Sequence, residues 1–207
     1  MKNLSILFFL AGLVAFTSCK RGETKSALKH GDVLKSSIED FEKNRKKLST
    51  KLVASLEQAE QDLTAEDPDL PKASKDFEKD WNDIQSRYNK LKKNFDKVGA
   101  SSEAYFAKLD ELSGNINNEK LRDEELGKNK DLRARWDKTF IEAKASVEKV
   151  TGVLEAGNDF HMVLVASSIR QKLEQNVDEL GVIADQAKSL LSDLEAFTLA
   201  GRELVEG

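Results

Sequence analysis

The stretch FEKDWNDIQSRYNKLKKNFDKV, residues 77–98, decides the fold of this chain. Its large apolar and aromatic side chains recur at alternating steps of four and three residues; they are Phe77, Trp81, Ile84, Tyr88, Leu91, Phe95 and Val98. That spacing places them on one face of an α-helix and is typical of helices that pack along one another. The same phase continues through Ser102, Tyr105, Leu109, Leu112 and Ile116. We therefore predict one long helix, kinked at GASS (residues 99–102) and followed by a turn at SGNINN (residues 113–118).

A second apolar seam precedes this helix and comprises Leu34, Ile38, Phe41, Leu48, Leu52, Leu56, Ala59 and Leu63. It predicts a helix that begins near Asp32, with Asp32 or Ser36 as its cap. Arg45 is the one charged residue in the seam, and we expect its stem to lie on apolar surface while its guanidinium reaches water. EDPDLP, residues 66–71, contains both prolines of the chain and predicts the turn between the two helices.

Two further helices follow from the same periodicity. The third starts near Leu121, and its end is ambiguous between Gly157 and Ala166; we favour the later turn, with a kink at Gly157. Ser168 and Gln171 have the spacing of a capping box for the fourth helix. The predicted seam of that helix is Ile169, Leu173, Val177, Leu180, Ala184, Ala187, Leu191 and Leu194, widened by Ile183, Leu190 and Phe197.

These seams predict an all-α fold. Short turns between long helices make neighbours antiparallel, so residues 32–207 are expected to form an elongated antiparallel bundle of about four long, coiled-coil-like helices. Charged residues make up 34% of the chain and give a net charge of −4, with both signs interspersed. That balance is typical of a solvated helical surface and offers no basic footprint for nucleic acid.

The N-terminus carries the clearest signal of location. Residues 4–16 form a largely apolar run, too short to span a bilayer but typical of a signal-peptide core. Ser18 then precedes Cys19, the only cysteine. The order resembles the lipobox of bacterial lipoproteins, although Phe16 replaces the usual leucine. An ordinary secretory signal beside an incidental cysteine is the alternative, but a lone exported cysteine has no disulfide partner.

We therefore expect residues 1–18 to be a lipoprotein signal peptide, Cys19 to be acylated and residues 19–31 to form a polar tether. The resemblance implies two or three acyl chains, which suffice for stable anchoring. Lys20, not aspartate, follows the cysteine, and by analogy with enterobacterial sorting rules this implies the outer membrane. The expected location is the bacterial cell envelope, lipid-anchored and facing the periplasm.

The order of lipobox, tether and helical body resembles a family of short coiled-coil bacterial lipoproteins defined only as a domain of unknown function. The similarity covers most of the mature chain and is sharpest in NNEKLRDEEL (residues 117–126) and VLEAGNDFHMVL (residues 153–164). Gly152 stands where such proteins are expected to have a proline. The resemblance supports the fold and location and carries no catalytic residues.

Candidate chemistry is sparse. His30 and His161 are the only histidines and lie far apart in the sequence, and no zinc, calcium, Walker A or nucleophile-elbow spacing occurs. We predict no catalytic residues, no metal site and no cofactor. Aromatic residues at heptad spacing indicate core rather than a ligand slot, and the acidic residues of 62–69 indicate a solvated turn. The basic runs NRKK (residues 44–47) and KLKK (residues 90–93) are expected on solvated faces, where they could touch headgroups or cell-wall polymers.

One apolar patch stands out: Phe160, Met162, Val163, Leu164 and Val165. If exposed it would dock a partner; we favour burial, because apolar burial stabilises by roughly 1.5–3 kcal/mol per side chain.

Two functions stay open. The first is a non-enzymatic envelope lipoprotein that acts as spacer, scaffold or protein-interaction module, with unknown protein partners and possible homo-oligomers. The second is a periplasmic chaperone-like module that binds client proteins through this patch.

Overall fold

The computed structural model describes residues 20–170 and 178–206. They form four helices: α1 (Lys20–Leu63), α2 (Leu70–Gly114), α3 (Glu119–Arg170) and α4 (Asp178–Glu206). At 1.5 Å per residue, α1 is about 66 Å long and α4 about 43 Å. The predicted all-α bundle of four long helices is confirmed.

The helices form a closed antiparallel ring. Each packs against its neighbours in sequence, and α4 packs against α1. Along α1 and α2, Ser37 meets Ser101 whereas Ser55 meets Asp80, so the two helices run in opposite directions. Pairs across the other interfaces show the same reversal. Because every helix has two neighbours at its flanks, its apolar seam faces one shared core.

The α2 seam is buried as predicted from Phe77 to Val98 and on to Ser102. Beyond Ser102 the buried positions are Phe106 and Ser113, whereas Tyr105, Leu109 and Leu112 are only half-buried. A helix with 3.6 residues per turn drifts against a strict 3.5-residue repeat, so its buried stripe moves by a residue over several turns. Residues 99–102 lie inside one helix, as predicted. Gly99 is a point of close contact, since a Cβ atom there would lie 2.9 Å from Cζ of Phe140 in α3.

A layer of phenylalanines joins all four helices at one level. Phe41 of α1, Phe95 of α2, Phe140 of α3 and Phe197 of α4 have neighbouring ring centroids separated by 4.5 to 6.0 Å. Such tilted and stacked pairs contribute about 0.5–1.5 kcal/mol each beyond the burial of their surface. The layer therefore fixes the middle of the bundle.

The first helix begins at Lys20, so the predicted start near Asp32 is wrong and the segment predicted as a tether is helical from Lys20 onward. Residues 20–31 contain no proline, and Gly31 packs close to the Tyr105 ring of α2. The helix therefore has both the composition and a packing partner to extend. Ser36 lies within α1 and caps nothing. Cys19 and residues 1–18 lie outside the described residues.

The predicted boundary between α3 and α4 is also wrong, since α3 continues past Gly157 and Ala166 to Arg170. The Ser168 hydroxyl donates to Val165 O within the same helix instead of capping a new one. Ile169 is an exposed residue of α3, and α4 begins only at Asp178. Gln171, Leu173 and Val177 lie outside the described residues.

Gly157 marks the closest approach of α3 to α2. A Cβ atom at this position would lie 1.8 Å from Cζ2 of Trp81, whose ring is buried. Trp81 is also tied to α3, because its Nε1 donates to Leu154 O at 3.1 Å. The ring therefore cannot move away without losing a hydrogen bond.

We predict that Gly157→Ala destabilises the bundle by about 1–3 kcal/mol through overpacking. The matched control is Gly152→Ala on the same helix, where a Cβ atom meets nothing within 4 Å. That control should stabilise by roughly 0.5–1 kcal/mol, since alanine is the better helix former. Urea unfolding measures both changes. Equal stabilisation by the two variants would contradict the Trp81 contact.

Candidate functional site

The described residues bring together no group of side chains that could hold a metal ion. His30 lies on α1 and His161 on α3, two helices that make no contact within the described ranges. Nowhere in those ranges do three or more His, Cys, Asp or Glu side chains gather where they could hold a metal ion. Of the acidic residues near the first turn, Asp69 caps α2 by accepting from Lys72 N at 3.1 Å.

The residues of the predicted apolar patch on α3 lie on different sides of that helix. Phe160 and Leu164 are four residues apart and buried, and the Phe160 ring lies 5.3 Å from that of Phe77. Val163 and Val165 are half-buried, whereas Met162 is 65% exposed. The five residues therefore do not form one continuous surface, and Met162 is the member left fully accessible.

The aromatic residues of α2 belong to the core, as predicted. Trp81 and Tyr88 each direct a polar atom at a backbone carbonyl of α3: Trp81 Nε1 donates to Leu154 O, and the Tyr88 hydroxyl donates to Val147 O at 3.0 Å. These bonds satisfy the polar tips of otherwise buried rings. They also hold α2 and α3 in a defined register.

A polar network lies buried between α1 and α4. Arg45 Nε donates to Glu42 Oε2 at 2.7 Å and Nη2 donates to Glu42 Oε1 at 3.0 Å, which makes the pair bidentate. Arg45 Nη1 donates to Leu191 O at 3.0 Å, and the Thr198 hydroxyl donates to Glu42 Oε2 at 3.1 Å. The expectation that the Arg45 head reaches water is therefore wrong. Both charged side chains are buried, and each contacts α4.

Two opposing effects set the pKa of the Glu42 carboxyl. Burial acts to raise it, but hydrogen bonds from Arg45, Lys46 and Thr198 outweigh burial and hold the pKa below its usual value. The Arg45 pKa is raised, first by its hydrogen bond to Glu42. Because the folded pKa of Glu42 is the lower one, the pair stabilises the fold above the unfolded carboxyl pKa of about 4.3. That contribution is lost as the pH falls through the folded value.

Sequence reasoning missed Glu42 and Thr198. Glu42 stands next to Phe41 and outside the heptad seam, and Thr198 follows Phe197 in the same way. The available signal was Arg45 itself: a cation at a seam position needs an anion within one helical turn, and Glu42 is the acidic residue three positions before it.

A shallow groove on the outer surface of α1 and α2 has a cationic lining. Lys46, Lys47 and Lys51 come from α1 and Arg87 comes from α2, with Thr50 and Ala54 between them. The groove is open to solvent, so its lysines lie on solvated faces as expected. Basic side chains lie on both of its walls.

No described helix is both long and apolar enough to cross a bilayer. The chain matches no protein-family model. No curated protein and no solved structure matches it either. The resemblance to the lipoprotein family therefore stays a prediction from the sequence.

We predict that Arg45→Met destabilises the bundle by about 3–5 kcal/mol, because it leaves the Glu42 carboxylate buried without its main partner. The double variant Glu42→Leu/Arg45→Met removes both charges and should restore most of that loss. Chemical unfolding of the single and double variants gives the coupling energy directly.

The matched control is Lys72→Met, which breaks the exposed pair that Lys72 forms with Asp76. It should cost less than about 1 kcal/mol. If Arg45→Met is no more costly than this control, the buried network does not hold α4 on α1.

Proposed function

We propose that this protein is a non-enzymatic, membrane-anchored lipoprotein of the bacterial cell envelope that acts as a structural spacer, scaffold or protein-interaction module. The observation that carries the proposal is the bundle itself. Its three longest helices contain 44, 45 and 52 residues, so the rod is roughly 65–80 Å long.

The rod has the properties of a stiff element. Its buried apolar residues form one core cluster that runs along α1 from Leu34 to Leu63 and along α2 from Leu70 to Phe106. Every helix packs against two others, so bending one requires deforming its neighbours. A spacer or scaffold needs this resistance to bending, and it needs no ligand pocket.

The buried polar groups support a structural role. Glu42, Arg45, Tyr88 and Trp81 all have hydrogen-bond partners on a neighbouring helix. Ser167 Oγ is the one buried side-chain polar atom in the described ranges without a partner. Polar side chains in this core therefore join helices to each other and leave no cluster directed at a substrate.

The anchor in this proposal is Cys19, acylated after removal of residues 1–18. Two or more acyl chains make the attachment effectively permanent. With Lys20 after the cysteine, the expected destination is the outer membrane, with the rod in the periplasm. Protein partners in the envelope, including a second copy of the chain, would bind along its sides.

We predict that Cys19→Ala moves the protein from the membrane fraction to the soluble fraction of the cell envelope, because it removes the acylated thiol. Fractionation with immunoblotting measures this, and mass spectrometry of the mature N-terminus identifies the acyl chains. Ser18→Ala is the control: it keeps a small residue before the cysteine and should stay membrane-bound. A membrane-bound Cys19→Ala protein would contradict the anchor.

A chaperone-like module is the second candidate, and exposed apolar side chains at one end of the rod favour it. Met162 is 65% exposed and Ile169 is 78% exposed on the last turns of α3, and Val182 is 56% exposed on the first turns of α4. Because α3 and α4 are antiparallel neighbours, these residues lie at the same end of the bundle. Scattered exposed apolar residues are ordinary, but a group at a rod tip fits client binding.

Under this alternative, Met162→Lys/Ile169→Lys should abolish any suppression of aggregation of an unfolded client, measured by light scattering. The control is Ile141→Lys, a change at a residue of α3 that is likewise 65% exposed but lies away from the tip. If the wild-type protein does not suppress aggregation, or if both variants lose the effect equally, the client-binding function is excluded and the scaffold proposal stands alone.

A further inference from the structure

Charge is segregated along the chain despite the balanced total. Residues 43–56 of α1 contain five cationic residues and no acidic one, and residues 82–97 of α2 contain five cationic and two acidic residues. Together these two segments carry a net charge of +8 in a chain whose total is −4. The rest of the protein is therefore strongly acidic.

The fold places these two segments side by side. Ser37 meets Ser101, and Ser55 meets Asp80, so residues 43–56 lie beside residues 82–97 in the antiparallel pair. The cationic groove of Lys46, Lys47, Lys51 and Arg87 lies within this overlap. Two separate basic stretches of sequence thus become one cationic surface.

Several groove cations are already neutralised by the protein. Lys46 pairs with Glu42 at 3.2 Å, Lys51 with Asp80 at 2.7 Å and Arg87 with Asp83 at 2.9 Å. These pairs hold the walls of the groove in place.

Six exposed lysines of these two segments have no ion-pair partner among the described residues; Lys92 and Lys93 are two of them, and the other four are Lys43, Lys47, Lys90 and Lys97. Lys43 and Lys47 are four residues apart, which puts them on one face of α1. Lys90 and Lys97 follow Arg87 by three and ten residues and continue its side of α2. We call these four lysines the cationic face.

We propose that the cationic face binds a linear anionic polymer that carries regularly spaced phosphate groups without nucleobases, such as a phosphate-linked polymer of the cell envelope. Lysine ammonium groups act as point charges that bind phosphate oxygens without demanding a bidentate geometry. A row of them along two neighbouring helices matches repeated phosphates along a chain, and release of counterions from the polymer drives binding.

The surroundings of the face favour a polymer over a planar membrane. The face is bordered by acidic segments: Glu39 and Asp40 precede it on α1, and residues 57–80 contain nine acidic and three basic residues. A flat anionic membrane that touched the face would also lie against these acidic segments. Its negative charge and theirs would repel each other. A flexible chain can follow the row of lysines without touching the acidic segments beyond it.

Two other partners fit less well. Lysine is depleted at protein–protein interfaces, and the face carries no large apolar side chain to serve as an anchor. Proteins that bind single-stranded nucleic acids use exposed aromatic rings on which the bases stack. The aromatic residues of α2 within this overlap, Tyr88 and Phe95, are buried.

The test measures binding of long-chain inorganic polyphosphate to the full chain in nonionic detergent, by fluorescence anisotropy of end-labelled polymer. Four lysine–phosphate contacts predict a slope of log affinity against log salt of about −2.8, so the affinity falls about fiftyfold between roughly 50 and 200 mM salt. Lys47→Gln/Lys90→Gln should weaken binding at low salt and reduce the slope to about −1.4.

The matched control is Lys144→Gln/Lys149→Gln, which removes the same number of charges. Both residues are exposed on α3, close along that helix to Val147, whose carbonyl accepts from Tyr88. They therefore lie at the same level of the rod as Lys90, but on a helix that does not contact α1. This variant should bind polyphosphate with the wild-type slope.

Parallel binding measurements distinguish polyphosphate from anionic phospholipid and from single-stranded DNA as the preferred ligand. The proposal is supported if the wild-type protein and the control variant bind polyphosphate and the cationic-face variant does not. It is overturned by no binding at about 50 mM salt or by equal loss in both double variants. It is also overturned by tighter binding of the Cys19→Ala protein to anionic phospholipid vesicles, or of any form to single-stranded DNA, than to polyphosphate. The proposal is also overturned if salt-sensitive self-association explains the effect of the lysine substitutions. The face would then bind a second copy of this chain.

Discussion

The register of α4 on α1 is marked by a charge pair that is largely buried between the two helices. An apolar seam with a seven-residue repeat tolerates sliding by one heptad, because leucine meets leucine again after the slip. Glu42 and Arg45 pair with each other within α1, and each adds a bond to α4: the Thr198 hydroxyl donates to Glu42, and Arg45 donates to Leu191 O. A slip of α4 would move Thr198 away and leave the buried Glu42 carboxylate with one hydrogen bond fewer, at a cost of about 1–3 kcal/mol. The Phe41–Phe197 contact lies beside the pair and benefits from the same fixed register.

Periodicity alone predicted much of the fold, and the errors have identifiable causes. The α2 helix was predictable because Phe77 to Val98 repeat without interruption and the prolines mark its start. The start of α1 and the end of α3 were not, because glycine and serine are weak helix breakers and tertiary contacts decide their conformation. Gly157 is a packing site for Trp81, and Gly99 is one for Phe140, although each resembles a kink in the sequence.

The candidate sites were less predictable than the fold, since they depend on which residues the helices bring together. The orientation of α3 about its own axis places Phe160 in the core and Met162 on the surface. A contiguous apolar run in the sequence does not reveal which of its residues face the core. The burial of Arg45 depends on α4, which is more than a hundred residues away along the chain. The cationic face was hidden for a different reason: the charge balance of the whole chain averages a basic surface on α1 and α2 with acidic segments elsewhere.

The geometry of the rod relates the proposed anchor to the cationic face. Lys20 starts α1 and Lys47 lies 27 residues further along the same helix, a distance of about 40 Å. The Debye length at physiological salt is about 8 Å, so a rod standing on acyl chains at Cys19 would hold its cationic face beyond the reach of charged headgroups. Anionic polymer at that height would be the nearest phosphate that the lysines meet. Under the two proposals, stiffness and charge segregation serve one purpose: the bundle core would hold the face away from the membrane, and the unpaired lysines would bind phosphate there.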